Sequence, residues 1–273
     1  MPHHHRGLAA VVLGTLLVAA MVVAGMFVFR DEDAPDPERA TPTSAVGDRV
    51  DTDGGTLQAL ALGPVLTWDP QRLASRDDLA FAGRIFARTL TAYAPNTDPD
   101  AQDRLVGDLA TGTGTPSEDL KTWAVTVRDG VLWQDGTPVT CADVAYGISR
   151  TFAIDTVTGG STDALAVLAI PRQADGTSTY AGPYAEGSTA AAGQASFDKA
   201  VSCTGQTITF TLSTPLSDFN ELVTQPAFGP VKKSEDRAAE GVYDVFSAGP
   251  YMLESDWVPG TGGTFVRNPN WSR

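Results

Sequence analysis

Three aspartates close together in the middle of the chain have the spacing that could best support catalysis. Two carboxylates can act as a general acid and a general base, and Asp129, Asp135 and Asp143 offer such pairs. Asp129 and Asp135, however, precede glycines in Asp-Gly turns, where a short side chain bonds its own backbone. Asp143 follows Thr140 at the spacing of a capping box, which predicts a helix start. We therefore predict a rigid scaffold here and no catalytic site.

Histidine is confined to the amino terminus, which excludes several kinds of active site from the rest of the chain. The three histidines are consecutive, at His3–His5, and only two cysteines occur. Ser-His-Asp and Cys-His sites need a histidine, and zinc sites need histidines or more cysteines. No phosphate-binding Gly-x-x-x-x-Gly-Lys-Ser/Thr loop is present. A glycosidase site with two carboxylates remains an alternative, but no spacing singles out a particular pair of acidic residues. The available side chains therefore favour a binding protein without a cofactor over an enzyme.

The elements around these aspartates predict a mixed α/β domain. Apolar residues alternate with polar ones at Trp123, Val125 and Val127, which predicts a strand. After Thr140, apolar residues recur at helical spacing. The remaining predicted elements are a strand at Thr56–Ala61, a helix at Asp77–Tyr93, an irregular surface excursion at Gly159–Gly193 carrying Tyr180, a strand at Gln206–Leu212, and a final hairpin that returns through Thr264–Arg267.

The chain is acidic, with a formal net charge of −14 at pH 7. Such a surface repels the phosphate backbone of nucleic acids. We therefore predict that the chain does not bind DNA or RNA.

The amino-terminal segment Gly7–Phe29 contains 23 residues without a charge. About 20 apolar residues suffice to cross a bilayer. Arg6 before the segment and an acidic run after it favour a cytoplasmic amino terminus. A cleaved signal, with Val22 and Ala24 as the small residues, is the alternative. We predict that 1–30 form a membrane anchor or signal, with the remainder outside the cell membrane, or secreted if cleavage occurs.

Two features follow from an extracellular or periplasmic location. Residues 31–53 are acidic and rich in proline, which predicts a disordered linker. Cys141 and Cys203 would meet an oxidising compartment, which favours a disulfide between them over two separate buried thiols. On the chain-entropy argument, a disulfide that closes this loop of about 60 residues stabilises the folded state by about 4 kcal/mol.

The segment WAVTVRDGVLWQDGTPVTCADVAYGISR, at Trp123–Arg150, resembles the signature block of the extracellular solute-binding proteins of ABC importers, family 5, which bind oligopeptides, dipeptides or nickel. Cys141 replaces the usual alanine of that block, and Gly147 replaces the usual serine. Asp69 and Pro70 resemble the family's Leu-Asp-Pro turn. The matching residues of the block are Trp123, Arg128, Gly130, Val131, Trp133, Asp135, Gly136, Pro138, Thr140, Asp143, Val144 and Tyr146.

This resemblance implies a fold of the type II periplasmic-binding-protein class. Residues 54–273 would form the amino-terminal lobe of a two-lobed protein, and the sequence ends about where the chain would pass to the second lobe. The implied function is capture of a peptide or similar small solute outside the membrane for a separate ABC permease and ATPase. The alternative is a degenerate, membrane-anchored scaffold protein that kept the lobe and lost ligand binding.

The resemblance also suggests ligand contacts at two segments, Leu73–Asp77 and Gly160–Asp163. Arg76 could meet a ligand carboxylate or be a solvated arginine at a helix start. Trp68 could stack on a ligand or belong to the core. The predicted ligand-binding residues are Trp68, Ser75, Arg76, Asp77, Ser161 and Thr162.

Overall fold

The computed structural model describes residues 54–61, 63–94, 96–98 and 101–272. The predicted anchor or signal and the predicted linker lie outside these residues. The chain divides into two compact units, Met1–Ala59 and Leu60–Arg273. Among the described helices, none is both long and apolar enough to cross a membrane. The strand predicted at Thr56–Ala61 is not formed, and its residues are exposed.

The second unit contains five α-helices and eight strands within the described residues. The helices are α1 (Arg76–Ile85), α2 (Cys141–Arg150), α3 (Asp163–Val167), α4 (Ser188–Ala200) and α5 (Phe219–Leu222). The strands are β1 (Thr91–Tyr93), β2 (Leu105–Gly107), β3 (Thr115–Pro116), β4 (Thr122–Thr126), β5 (Val201–Thr204), β6 (Thr207–Thr211), β7 (Tyr251–Leu253) and β8 (Phe265–Arg267). Short 3₁₀ turns lie at Pro226–Phe228, Lys233–Glu235 and Ala238–Glu240.

A four-stranded antiparallel sheet, in the order β3-β4-β6-β5, forms the centre of this unit. Trp123 of β4 pairs with Phe210 of β6, and Val125 pairs with Ile208. All four side chains are buried, whereas Ala124 and Thr209, which lie between them, are on the other face. The alternation seen in the sequence is therefore the alternation of the two faces of the sheet.

Helix α2 packs on this sheet through Val144 and Ile148, which are fully buried. Its start has the predicted capping box: the Thr140 hydroxyl accepts from the Asp143 N–H at 3.3 Å, and the Thr140 N–H donates to the Asp143 carboxylate at 2.8 Å. The predicted disulfide is present and joins Cys141, the first residue of α2, to β5.

The two Asp-Gly turns before α2 are also as predicted. Gly130 and Gly136 have φ angles of 80° and 82°, which favour glycine. The Asp135 carboxylate accepts from the N–H of Thr137 at 3.0 Å and from its hydroxyl at 2.7 Å. Asp135 therefore stabilises its own turn, as expected for a scaffold residue.

Helix α1 is shorter than predicted, since it ends at Ile85 and the chain continues to strand β1. The carbonyl of Phe86 accepts from the N–H of Gly249 at 3.1 Å and from the hydroxyl of Ser247 at 3.2 Å. These contacts take the carbonyl that a longer helix would use for its own ladder. A long-range interaction therefore overrides the helical pattern.

The predicted irregular excursion contains more structure than its composition indicated. Helix α3 and the start of α4 lie within it. Tyr180 is buried, with its ring 5.4 Å from Phe152 and 4.7 Å from Phe197 between centroids. The prediction of a surface position for Tyr180 is therefore wrong, because its ring packs on Phe152, which follows α2, and on Phe197 of α4.

Candidate functional site

The turn at Asp69 and Pro70 leads into the first of the two predicted ligand segments, Leu73–Asp77, here called the first loop. The Thr67 hydroxyl donates to the carbonyl of Val242 at 2.7 Å, and the Asp69 carboxylate accepts from the Gln71 N–H at 3.0 Å. Leu73 is buried, whereas Ser75, Arg76 and Asp77 are exposed. The turn is thus fixed at its base, and the end of the first loop faces solvent.

The second predicted segment, Gly160–Asp163, is here called the second loop, and the two segments together are the loop pair. The Ser161 hydroxyl donates to the Asp163 carboxylate at 2.7 Å and accepts from the Asp163 N–H at 3.1 Å. These bonds turn the chain into α3, whose N-cap Thr162 is exposed. The second loop is therefore ordered by its own polar side chains.

Gly160 brings the second loop against the turn before the first loop. A Cβ atom at this position would overlap the carbonyl oxygen of Gln71, and it would lie 3.1 Å from the Cα of Arg72. Only glycine permits this backbone contact without a shift. The two segments selected from the sequence are therefore neighbours at their bases.

A small open cavity lies between the second loop, the segment before it and Gln71 of the turn before the first loop. Its volume is about 100 Å³, and its lining includes Gln71, Ile154, Val157, Ser161 and Thr162. Ser75, Arg76 and Asp77 do not line it. The structure therefore brings only part of the predicted set into one cavity.

A buried network of charges supports the loop pair from below. Arg150, at the end of α2, is 3% exposed. Its guanidinium contacts both carboxylate oxygens of Asp69, at 2.8 and 2.7 Å, and lies 3.2 Å from an oxygen of Asp236. It also donates to the side-chain oxygen of Gln71. Arg150 thus links the Asp69 turn to α2 and to the 3₁₀ region around Asp236.

Asp236 receives the remaining hydrogen bonds of the network. Its carboxylate accepts from the hydroxyls of Tyr146 at 2.7 Å and Tyr184 at 2.6 Å, and from the Ala238 N–H at 3.0 Å. Burial raises the pKa of Asp236, but these tyrosines and Arg150 outweigh it and the pKa is lowered. Burial and the bond to Asp236 raise the pKa of Tyr184 to about 12. Near neutral pH these groups keep fixed charges, which suits support and not proton transfer.

Arg72 connects the same turn to the segment that precedes the second loop. Its Nε donates to Asp69 at 3.0 Å, while Nη2 donates to the carbonyls of Thr156 at 2.8 Å and Ala238 at 3.0 Å. The loop pair is therefore positioned by two arginines that share one aspartate.

The family model for "Bacterial extracellular solute-binding proteins, family 5 Middle" matches residues 104–273. This chain belongs to that family. No match was found among curated proteins. Family members are substrate-binding proteins and not enzymes, which agrees with the fixed charges of the network.

Solved structures with the type II periplasmic-binding-protein fold are similar to the described domain. The clavulanic acid biosynthesis oligopeptide binding protein 2 is 33% identical, with a TM-score of 0.64. The match covers 76% of this chain and 35% of that one, so the chain spans about a third of its relative. OppA of Burkholderia pseudomallei is 21% identical with a TM-score of 0.56, covering 76% and 37%. The murein tripeptide binding protein MppA of Escherichia coli is 23% identical with a TM-score of 0.55, covering 76% and 36%.

Within this family fold, Trp68 lies in an aromatic cluster. Its ring is 2% exposed, with centroids 5.3 Å from Phe81 and 5.0 Å from Trp257. This environment leaves no free face of the indole for a ligand. The position fits the second of the two roles that the sequence left open, a residue of the core.

Ser75, Arg76 and Asp77 are placed together at the start of α1. Ser75 is the N-cap, and its hydroxyl accepts from the Asp78 N–H at 3.4 Å. Arg76 and Asp77 stand exposed in the first turn. The three remain predicted ligand contacts outside the cavity lining, with Arg76 and Asp77 exposed to solvent.

The supporting residues Arg72, Arg150 and Asp236 were missed by reasoning from the sequence. Arg150 closes the family signature block, which is a signal that could have marked it. Asp236 lies in a segment without a motif, and its role depends on a contact with Tyr146 across 90 residues. No local sequence pattern indicates a contact between residues so far apart in the chain.

Metal binding has no support in the described residues. No group of three or more His, Cys, Asp or Glu side chains there has the arrangement of a metal site.

Proposed function

We propose that this chain is the substrate-binding component of an ABC-type importer for peptides or similar small solutes. It would capture the solute outside the membrane and deliver it to a separate permease and ATPase. Family membership and similarity to a protein named as oligopeptide-binding support this proposal. The observation that carries it is the loop pair, in which Gly160 of the second loop packs on the turn before the first loop over a buried support of charged residues.

The size of the cavity bears on how tightly this chain would bind. Small-molecule sites enclose roughly 300–1,000 Å³, whereas the cavity at the loop pair measures about 100 Å³. A peptide would therefore be only partly covered by the described domain. We expect weak binding by this chain alone and tighter binding where a second lobe closes over the ligand.

Ser75, Arg76, Asp77, Ser161 and Thr162 are the residues proposed to contact the solute. Arg76 is an exposed cation on a fixed helix start, so it can pair with a peptide carboxylate. The Thr162 hydroxyl can bond a peptide N–H or carbonyl group, whereas the hydroxyls of Ser75 and Ser161, which already bond within the chain, can each accept a peptide N–H with a second lone pair. The solute would lie across both loops.

Calorimetric titration of the purified full chain with a mixed peptide library tests this proposal. Binding of any fraction supports it, and Arg76→Gln should weaken that binding by about three- to tenfold, because one charge-assisted hydrogen bond is lost. Arg84→Gln is the matched control, since Arg84 lies on the same helix and donates to the carbonyl of Ala80. Absence of heat with every fraction would contradict peptide binding.

The competing proposal, an anchored scaffold protein that has lost ligand binding, is favoured by the small volume of the cavity alone. It predicts no heat in the same titration and no effect of Arg76→Gln. Genes for a permease beside the coding sequence would count against it.

The segment Gly7–Phe29 is proposed to anchor the chain with its amino terminus inside the cell. Membrane fractionation and protease protection of intact cells test this. An anchored chain should sediment with membranes and be digested from outside, whereas a cleaved signal should release a soluble domain.

A further inference from the structure

The cavity at the loop pair has a lining that selects one kind of ligand group. We propose that it is a subsite for a small aliphatic side chain of the bound peptide, such as that of valine or leucine, and that it cannot enclose an indole ring. This inference rests on the proposed peptide-binding function and specifies its substrate class.

Three of the four polar side chains that line the cavity are already engaged within the protein, and the fourth, Thr162, makes no N-cap hydrogen bond. The Thr151 hydroxyl donates to the carbonyl of Ile148 at 2.7 Å, and the Ser161 hydroxyl donates to Asp163. The Gln71 amide accepts from Arg150 and donates to the carbonyl of Pro226 at 3.4 Å. These groups therefore have little capacity left to attract a polar ligand group.

Ile154 and Val157 give the cavity its apolar surface. Val157 is buried, whereas Ile154 is 50% exposed. An isoleucine left half in water gains free energy when an apolar group covers it. The chemistry of this lining thus matches an aliphatic side chain.

The cavity is open, so its volume limits how much of a ligand group it can bury. An apolar cavity of about 150 Å³ accommodates a benzene ring. The cavity here is smaller, at about 100 Å³. It can bury a branched aliphatic group, whereas much of the two rings of tryptophan would stay outside it.

The walls are also fixed, so the cavity should keep this size. Gly160 packs directly on the backbone of Gln71, and Gln71 is bonded to the buried Arg150. Arg72 holds the carbonyl of Thr156, next to Val157, at 2.8 Å. A rigid wall discriminates by size better than a loop that can move aside.

The experiment titrates the full chain with soluble tetrapeptides Xaa-Xaa-Xaa-Lys, where Xaa is Ala, Val, Leu or Trp. Repeating one side chain at three positions makes the result independent of the register of binding. We expect the Val and Leu peptides to bind at least about tenfold more tightly than the Trp peptide, since a single methylene in an apolar pocket can change affinity tenfold. The Ala peptide should also bind more weakly, because it leaves the cavity unfilled.

Two variants assign the preference to this cavity. Ile154→Ala should weaken Leu-peptide binding about three- to tenfold and reduce the discrimination against Trp. Val258→Ala is the matched control, because Val258 is 53% exposed and does not line the cavity. Equal binding of all four peptides, tightest binding of the Trp peptide, or equal effects of both variants would overturn the subsite and leave peptide binding intact. Absence of binding by every peptide would instead overturn the proposed function.

Discussion

The central sheet and the support beneath the loop pair are stabilised by different interactions. The sheet region is apolar, with Phe210 and Val144 buried between β6 and α2, and a disulfide joins its parts. The loop support is ionic, with Asp69, Arg150 and Asp236 buried together. Apolar burial is non-directional, whereas an arginine that bonds two carboxylates fixes their relative orientation. The difference teaches that the part proposed to hold a precise geometry for a ligand is built from directional contacts.

The largest expected effect comes from breaking the ionic support. Arg150→Met leaves Asp236 buried without its cation and leaves Asp69 with Arg72 alone, so it should lower the free energy of unfolding by about 3–5 kcal/mol. Arg237→Met is the control, because Arg237 pairs with Asp244 at a side-chain exposure of 60%. It should cost about 0–1 kcal/mol. Urea unfolding measures both, and equal losses would refute the distinction between the two kinds of ion pair.

A second prediction tests the sheet region through its disulfide. Replacing both Cys141 and Cys203 by alanine frees a loop with a sequence separation of 62 residues. The unfolded chain gains entropy, so the free energy of unfolding should fall by about 2–4 kcal/mol. Peptide affinity, measured below the unfolding temperature, should change little, since the loop pair keeps its own support. A large loss of affinity in a folded variant would show that the disulfide also positions the loops.

The contact between the two loop bases should have an intermediate effect. Gly160→Ala forces apart the backbone at Gln71 and should cost about 1–3 kcal/mol, as overpacking does. Gly83→Ala in α1 is the control, because no atom lies within 4 Å of its added Cβ. It should stabilise the chain by about 0.5–1 kcal/mol through helix propensity. Thermal unfolding distinguishes the two, and a neutral Gly160→Ala would disprove the close contact.

The smallest expected effect is that of an exposed ion pair. Hydrogen bonds from Lys232 and Thr137 lower the pKa of Asp135 to about 2. A carboxyl whose folded pKa is lowered contributes stability that is present above its unfolded pKa of about 4 and is lost as the pH falls towards 2. Because the side chain is 38% exposed, Asp135→Asn should cost less than about 1 kcal/mol at pH 6 and almost nothing at pH 2.

Asp175 provides the matched control for that prediction. It bonds Thr177 as Asp135 bonds Thr137, with the N–H at 2.9 Å and the hydroxyl at 2.6 Å. Within the described part of the chain, however, no cation pairs with it. Asp175→Asn should therefore lose less stability between pH 6 and pH 2, as urea unfolding at both pH values would show. The same loss in both variants would mean that the turn, and not Lys232, is responsible.

Much of the scaffold could be predicted because its signals are local. The alternation at Gln206–Leu212, the Asp-Gly turns and the capping box at Thr140 each involve residues within a few positions of one another. Neighbouring backbone groups and periodicity decide such elements before tertiary packing acts. The disulfide could be inferred from the exported location and the even number of cysteines.

Features that depend on contacts with residues distant in sequence were predicted wrongly or missed. The helix predicted to reach Tyr93 stops at Ile85, because Ser247 and Gly249 bind the Phe86 carbonyl. Tyr180 is buried by Phe152 and Phe197, which its own segment does not contain. No periodicity within a segment reports such contacts.

The sequence by itself determined the family, the α/β class, the turns of the signature block, and the absence of histidine chemistry from all but the amino terminus. It also selected the two loops. Only the tertiary structure decided that Gly160 seats one loop on Gln71, and that Arg150 joins Asp69 to Asp236 beneath them. The physical reason is that turns and caps form between neighbours in sequence. A buried charge, in contrast, is satisfied only by partners that folding brings from far along the chain.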